Sequence, residues 1–497
     1  MRIVHALLTV VAVLTAGSPT PPDPGVASDI RAVADELGLP GVAFRVVSEH
    51  EVLENVEYGV DGDGAPIDET TPFVWGSVSK SVTAATVYSL AEHRALTLDG
   101  SVNSILPECD SILSDNVTID DLIHHTSGIP HDVTELDVWG RTERALDILP
   151  ALDVRAAERG TFRYSSLNYL LLQAIVEKAT AEPFADVVAR ETGVHTADTV
   201  APGHVPFFTF PRRIDTGIDS AGMGYGYLSG SIDELSRYAS RQLTAPASNS
   251  PDTVPTGSGA AYGYGWYVET LPDGTEMRWH SGAVPGYFTH VALVPERHLA
   301  VVFATNRYGE LEADALASAA RSLVLTRLGM DDPPTAGIGL YEVALIASTT
   351  LAVLLAICAT RALLGFRTAP GRWAPAHALA ALVAAGLLYF SLPALADAPI
   401  STLARWAPDI ALLFWILLAE LVVIAVALGA GALLYFSLPA LAGAPISTLA
   451  RWAPDVTLLF RIVLAELVVI AGALVARAGR TRSHGHDNGR PSEEDRP

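Results

Sequence analysis

Beyond Gly337 the chain no longer reads as one that folds in water. "IGLYEVALIASTTLAVLLAICAT" (338–360) and "AHALAALVAAGLLYFSLPALA" (376–396) are each long enough to cross a bilayer as a helix. "IALLFWILLAELVVIAVALGAGALLYFSLPALA" (410–442) exceeds one crossing, and its "GAGA" offers a turn between two; "VTLLFRIVLAELVVIAGALVA" (456–476) is the last apolar run. An internal repeat runs through 338–476 at an offset of 46. "LYFSLPALADAPISTLARWAPD" (388–409) returns as "LYFSLPALAGAPISTLARWAPD" (434–455), and "LAELVVIA" (418–425) returns at 464–471. Identity this close points to a duplication rather than a solenoid, which needs more and shorter repeats. An α-helical transmembrane bundle is therefore expected behind whatever folds ahead of it.

Charge sets the expected orientation. Asp331 and Asp332 precede the first span, Arg361, Arg367 and Arg372 follow it, and Arg477, Arg480 and Arg482 follow the last. Cytoplasmic flanks are enriched in Arg and Lys, so the front domain is expected outside the cell and the tail inside. That placement needs an odd number of spans: five, with 430–446 as a short fourth, or three. The tail, 477–497, is polar and expected to be disordered, and its His484 and His486 make a weak metal pair. Glu420, Glu466 and Arg461 fall within spans, where ionisable groups often mark function. Glu420 and Glu466 are copies of one position and Arg461 replaces Trp415, so helix pairing or snorkelling is the simpler role. At the other end, Arg2 and "IVHALLTVVAVLTAG" read as a signal peptide (1–17), with an uncleaved anchor as the alternative. A Pro-rich linker (18–26) follows.

Residues 18–337 carry 20 Lys and Arg against 45 Asp and Glu, a net charge of −25. Such a surface repels phosphates, so no nucleic acid partner is expected. It is similar to surfaces from high-salt surroundings, where screening limits self-repulsion; an ordinary acidic protein of a GC-rich genome is the alternative. Cys109 and Cys358 lie on opposite sides of the Gly337 boundary and are not expected to pair. About 300 residues suffice for one core without disulfides. Helical spacing marks 29–38, 81–93, 166–180 and 231–243. Alternation marks strands at 41–59, 263–271, 287–295 and 298–306. Helices and antiparallel strands in separate runs predict an α+β domain over 27–335.

Only two of the chain's 32 basic residues are lysines, Lys80 and Lys178. Lys80 stands three residues after Ser77 in "FVWGSVSK" (73–80), on the same helical face. Arginine stays charged at any working pH, whereas a buried lysine can lose its proton and act as a base. A serine hydroxyl needs such a neighbour to become a nucleophile. The unpaired N–H groups of a first helical turn would also face a developing anion. Alone the pair is a weak signal, since Ser77 also fits an N-cap. Two further elements strengthen it: Tyr164 with Ser166 in "GTFRYSSLNYLLL" (160–172), and His280-Ser281-Gly282 in "RWHSGAVPGYFTHVALVP" (278–295). A G-x-S-x-G elbow is absent, which argues against an α/β-hydrolase.

In this order the elements resemble the penicillin-recognising serine hydrolases: class C β-lactamases, serine D,D-carboxypeptidases, and related D-aminopeptidases and esterases. The resemblance covers 27–328 and includes "LIHHTSGIP" (122–130), "YGYGWYV" (262–268) and "LAVVFATN" (299–306). It implies a β-lactamase/transpeptidase-like antiparallel sheet flanked by helices, with an all-helical lobe over the cleft. Ser77 would be acylated, Lys80 would take its proton, and Tyr164 would share acid/base work at the leaving group. His280 would supply a polar or cationic contact from the edge strand beside the site, with Gly282 next to it. The N–H groups of Ser77 and Ala283 would form the oxyanion hole. No cofactor or metal is implied, and His125, next to His124 and near His131, belongs to a structural loop.

Two departures bear on substrate. Ser166 stands where the family usually has an asparagine that reaches the substrate's amide carbonyl. The third element begins with His280 rather than lysine, as in peptidases and esterases more than β-lactamases. The expected protein is thus an exported, membrane-anchored serine hydrolase of a small molecule or peptide, cleaving a peptide, amide or ester. A catalytically weak ligand-binding or sensor relative, signalling through the membrane helices, is the alternative. A transporter with an accessory outer domain is disfavoured because the spans hold few paired polar residues.

Overall fold

The computed structural model describes residues 25–442 except 115, 132–138, 246–251, 331–338, 366–373 and 397–399. The expected signal peptide, last span and tail lie outside the described residues.

In chain order the strands are β1 (Gly41–Val47), β2 (Val52–Gly59), β3 (Pro72–Val74), β4 (Gly203–Phe207), β5 (Phe210–Ile214) and β6 (Ser229–Ser231), then β7 (Val254–Pro255), β8 (Ala261–Gly263), β9 (Trp266–Thr270), β10 (Glu276–Val284), β11 (Tyr287–Val294) and β12 (Leu299–Thr305). Eight of them form one antiparallel sheet ordered β2-β1-β12-β11-β10-β9-β8-β7. The principal helices of the front domain are α1 (Val26–Leu37), α2 (Ser79–Glu92), α3 (Ser166–Thr180), α4 (Phe184–Thr192), α5 (Ile232–Gln242) and α6 (Ala313–Arg327).

Strand alternation explains the layers. Side chains of successive residues point to opposite faces, and both faces of the central strands are buried. Val42, Phe44 and Val46 of β1 meet Val301 and Phe303 of β12 under α1 and α6. Ala43 and Val47 share the other face with Ala300, Val302 and Ala304, packed against the helical lobe. Each buried Val, Ile, Leu or Phe contributes about 1.5–3 kcal/mol, so two-sided burial makes this sheet the rigid base of the domain. The one charged side chain of β1, Arg45, donates to Asn55 Oδ1 at 2.7 Å and Asp233 Oδ1 at 2.9 Å, which fastens α5 to the lobe-side face.

Helix α2 threads between sheet and lobe and is buried nearly all round. Its small residues permit that, and their hydroxyls bond both the helix and its surroundings: Thr86 donates to the Val82 carbonyl at 2.8 Å, while Thr83 reaches the Ser79 carbonyl at 3.0 Å and the Gly224 carbonyl at 2.8 Å.

Behind the domain come α7 (Leu340–Gly365), α8 (Ala374–Ala396), α9 (Ile400–Trp406) and α10 (Pro408–Ala442). Two stretches, Leu340–Arg361 and Pro408–Leu428, are long and apolar enough to cross a membrane. The turn expected at Gly429–Ala432 is not there, because α10 runs through it as one 35-residue helix. A glycine costs a helix only about 1 kcal/mol relative to alanine, too little to stop one between two Leu- and Ala-rich runs. At 1.5 Å per residue α10 is about 52 Å long, well beyond the ~30 Å bilayer core. Residues 430–442 therefore continue the preceding helix rather than open a separate fourth span.

The hairpin β4–β5 joins the two parts. Its two turn residues, Phe208 and Thr209, both have positive φ, +50° and +73°. Phe208 N–H donates to Asp409 Oδ2 at 2.8 Å, Tyr341 Oη donates to the same oxygen at 2.5 Å, and Thr209 N–H donates to Tyr341 Oη at 3.2 Å. Asp409 and Tyr341, in the first turns of α10 and α7, are fully buried.

Candidate active site

The site forms where α2 begins against β10. A 3₁₀ turn, Gly76–Val78, leads into α2, and it is pinned by Trp75: its N–H donates to the Leu228 carbonyl at 2.9 Å and its indole to the Gly230 carbonyl at 3.1 Å. The turn lies almost on top of Gly282 and Ala283. A Cβ on Gly282 would stand 1.9 Å from the Trp75 carbonyl and 2.7 Å from Ser77 N. A Cβ on Gly76, whose φ is +54°, would stand 2.1 Å from Ala283 N. Two glycines back to back thus bring the backbone N–H groups of Ser77 and Ala283 to one place. That is the oxyanion-hole pair implied by the resemblance.

Lys80 is completely buried. Its Nζ lies 3.0 Å from Ser77 Oγ, 3.0 Å from Ser166 Oγ and 2.8 Å from the Tyr225 carbonyl. Desolvation holds its pKa well below the usual lysine value, and among the described residues it forms no ion pair with a carboxylate. A neutral amine has two N–H donors and one lone pair. Lys80 Nζ donates to Ser77 Oγ, Ser166 Oγ and the Tyr225 carbonyl; once neutral, it would keep the last two as acceptors and turn its lone pair to the Ser77 hydroxyl. The nitrogen also sits 5.0 Å above the centre of the Tyr164 ring.

The Tyr164 hydroxyl lies near Ser77 and Ser166, and desolvation raises its pKa well above the ordinary phenol value. Tyr164 is therefore held as the neutral phenol. Ser166 opens α3, is buried, and donates its N–H to His131 Nδ1 at 3.2 Å. Its hydroxyl accepts from the Lys80 amine at 3.0 Å.

Of the two contacts expected of His280, polar or cationic, its surroundings favour the polar one, and its strand position differs from expectation. Burial, then Lys80, lower its pKa to about 3. Its Nδ1 lies 2.6 Å from the Ser281 carbonyl, and Nε2 is 3.5 Å from the Tyr262 hydroxyl. It supplies a neutral, polar contact and no cation. Strand β10 is also not the edge of the sheet, since β9, β8 and β7 lie beyond it. Pairing with β9 ends at Trp279, however, so the segment from His280 to Val284 has an open side that faces Ser77.

The histidine loop holds this arrangement in place. His125 Nδ1 accepts from Asn168 Nδ2 at 2.9 Å and from Ser165 N at 3.2 Å, and Ser127 Oγ donates to Asn168 Oδ1 at 2.6 Å. His124 turns both ring nitrogens to carbonyls, of Asp120 at 3.0 Å and Asp252 at 2.7 Å. Both histidines tie the loop to the start of α3 and to the β7 segment. Among the described residues no three His, Cys, Asp or Glu side chains are grouped to hold a metal.

Sequence reasoning missed Tyr225. Its carbonyl comes from a π-helical turn, Met223–Tyr227, which exposes a backbone oxygen to Lys80. The glycine-spaced "MGYGY" was the only available signal. Thr289 was also missed; it donates to the Trp75 carbonyl at 2.5 Å and locks the nucleophile turn to β11.

A family model described as beta-lactamase matches residues 26–326. The chain belongs to the beta-lactamase family, whose members with this Ser-x-x-Lys pair are serine hydrolases. Protein flp of Staphylococcus aureus (strain MRSA252) is 22% identical over 312 residues, covering 55% of this chain and 60% of that protein. The unguisins hydrolase ungD' of Aspergillus campestris is 25% identical over 341 residues, covering 59% and 63%. The chain thus spans about three fifths of the length of the curated relatives it matches. Of solved structures, the octameric penicillin-binding protein homologue from Pyrococcus abyssi has a TM-score of 0.52 at 21% identity, over 61% of this chain and 77% of that one. The class C beta lactamase from Rhodobacter sphaeroides has a TM-score of 0.50 at 20% identity, over 61% and 98%. At these identities the likeness shows the fold.

Proposed function

We propose that this chain is an exported, membrane-anchored serine hydrolase that cleaves a peptide, amide or ester through an acyl-enzyme on Ser77. The observation that carries the reading is a buried lysine amine 3.0 Å from a serine hydroxyl, with no carboxylate partner among the described residues to keep it charged. Ser77 Oγ attacks the carbonyl carbon as its proton passes to Lys80. The oxyanion is held by the N–H groups of Ser77 and Ala283. As the bond to the leaving group breaks, Tyr164, neutral and near Ser77, gives it a proton and is restored by the proton that Lys80 took; water, losing a proton to the neutral Lys80, then adds to the acyl carbonyl and releases the acid and Ser77. An activated phosphonate probe tests this: wild type is labelled on Ser77 and Ser77→Ala is not. Absence of label on folded wild type overturns the reading.

Ser166 is proposed to set the preference between acyl groups. Asparagine there adds a carboxamide that reaches farther into the cleft than a hydroxyl. Ser166→Asn is expected to raise turnover of peptide or β-lactam substrates by about tenfold relative to esters, equivalent to one added hydrogen bond. Equal effects on the two substrate types would show that residue 166 does not grip the acyl group.

Membrane anchoring rests on the two long apolar helices and on Arg361 at the far end of α7 from the domain. Single cysteines placed in the tail are expected to resist impermeant maleimide on intact cells, while cysteines on the hydrolase surface react. A tail labelled from outside reverses the proposed topology.

A further inference from the structure

The tip of β4–β5 is strained for a reason the catalytic site does not supply. A two-residue hairpin turn with positive φ at both positions is ordinarily built from Asn and Gly. Phe208 and Thr209 hold it at +50° and +73°, and a non-glycine residue kept there costs about 1–3 kcal/mol. The Phe208 side chain packs against a cluster drawn from both apolar helices, Ala352 of α7 with Leu413 and Leu417 of α10. The next residue of β5 behaves in the opposite way: Phe210 is 73% exposed, more than any other large hydrophobic side chain among the described residues. Two residues on, exposed Arg212 lays its guanidinium 5.3 Å from the Phe207 ring centre, while Arg213 pairs with Asp63.

Both candidate spans start at this tip. Tyr341 and Asp409 bind its backbone from the first turns of α7 and α10, so the apolar lengths of both helices leave the domain from one level. We propose that the hairpin tip contacts a phospholipid bilayer directly, with Phe210 at the boundary of headgroups and acyl chains and Arg212 on lipid phosphates. Two strand residues separate them, about 7 Å, which suits an aromatic ring at the boundary and a cation among the headgroups. The proposal rests on the membrane-anchored reading of α7 and α10.

The test uses the full chain with Cys358→Ala, which leaves only buried Cys109. Phe210→Cys carries a nitrobenzoxadiazole label in vesicles of phosphatidylethanolamine and phosphatidylglycerol. Glu296→Cys is the control, on the turn at the opposite end of β11, eight residues or about 27 Å from the Gly286 turn beside the hairpin. Lipids spin-labelled near the headgroup end of the acyl chain are expected to quench the Phe210 label several-fold more than the control. Adding Arg212→Glu is expected to reduce that quenching. Protein that floats with vesicles but shows equal quenching at both sites overturns the proposal while leaving anchoring intact. A blue shift that depends on protein concentration and persists in detergent also overturns it, by assigning the tip to contact between copies. Protein that fails to float overturns the anchored reading and this proposal, leaving Ser77 labelling as a separate result.

Discussion

Lys80→Met is expected to fold and to take a phosphonate probe at Ser77 hundreds of times more slowly than wild type, or not at all. Loss of a catalytic base typically costs about 10²–10⁴ in rate. Methionine matches the lysine side chain as far as Cε and buries no charge, leaving the Tyr225 carbonyl and the Ser166 hydroxyl each short of a donor. Lys80→Arg separates a base from an electrostatic neighbour, because guanidinium keeps its proton. It also forces a permanent charge onto a position with no carboxylate partner among the described residues, so its melting temperature should fall. Near-normal labelling of the arginine variant would mean that Lys80 is an electrostatic neighbour and not the base. A pH series adds an independent reading. The folded-state pKa of Lys80 lies below its unfolded value. Between those two values the unfolded chain binds the extra proton, so stability rises with pH. Acylation should rise through the lower limb of that window as the amine becomes neutral. Lys80→Met should remove both slopes, and their persistence would mean that another group titrates.

Gly282→Ala is the second large effect. Its new methyl would meet three backbone atoms, the Trp75 carbonyl at 1.9 Å, Ser77 N at 2.7 Å and Val78 N at 2.8 Å, and none can swing aside. Strand β10 and the nucleophile turn must part, which separates the two N–H groups that would hold the oxyanion. Losing one such donor costs about 10²–10³ in rate, and overpacking a tight contact costs about 1–3 kcal/mol of stability. The expected variant is folded, less stable, and at least a hundredfold slower in acylation, with near-wild-type circular dichroism. Acylation within a few-fold of wild type would mean that the oxyanion is held by other groups.

What was legible in the sequence is what depends on neighbours along the chain. The helix expected over 231–243 appears as Ile232–Gln242, and the strand pair over 41–59 as β1 and β2. Ser77 and Lys80 are three residues apart on one turn, so their meeting needed no tertiary knowledge. What could not be read depends on approach in space. The crossing of Gly76 with Gly282 brings together residues 206 positions apart, and nothing local to either announces it. The neutrality of His280 follows from burial beside Lys80, which a motif cannot convey. The continuity of α10 through "GAGA" shows the converse error, a local break signal overruled by the apolar runs on both sides.

The grip of Tyr341 and Asp409 on the hairpin also governs reach. A domain on a slack leash would sweep a hemisphere and meet whatever diffuses past. For a membrane-anchored chain, this clamp shortens the leash to nothing and fixes Ser77 at one altitude over the lipid. Targets attached to the same surface then meet the nucleophile at an effective concentration set by geometry, not by their abundance in bulk. On that anchored reading, a bond held appreciably higher or lower than that altitude would go uncut, however well its chemistry suits the cleft.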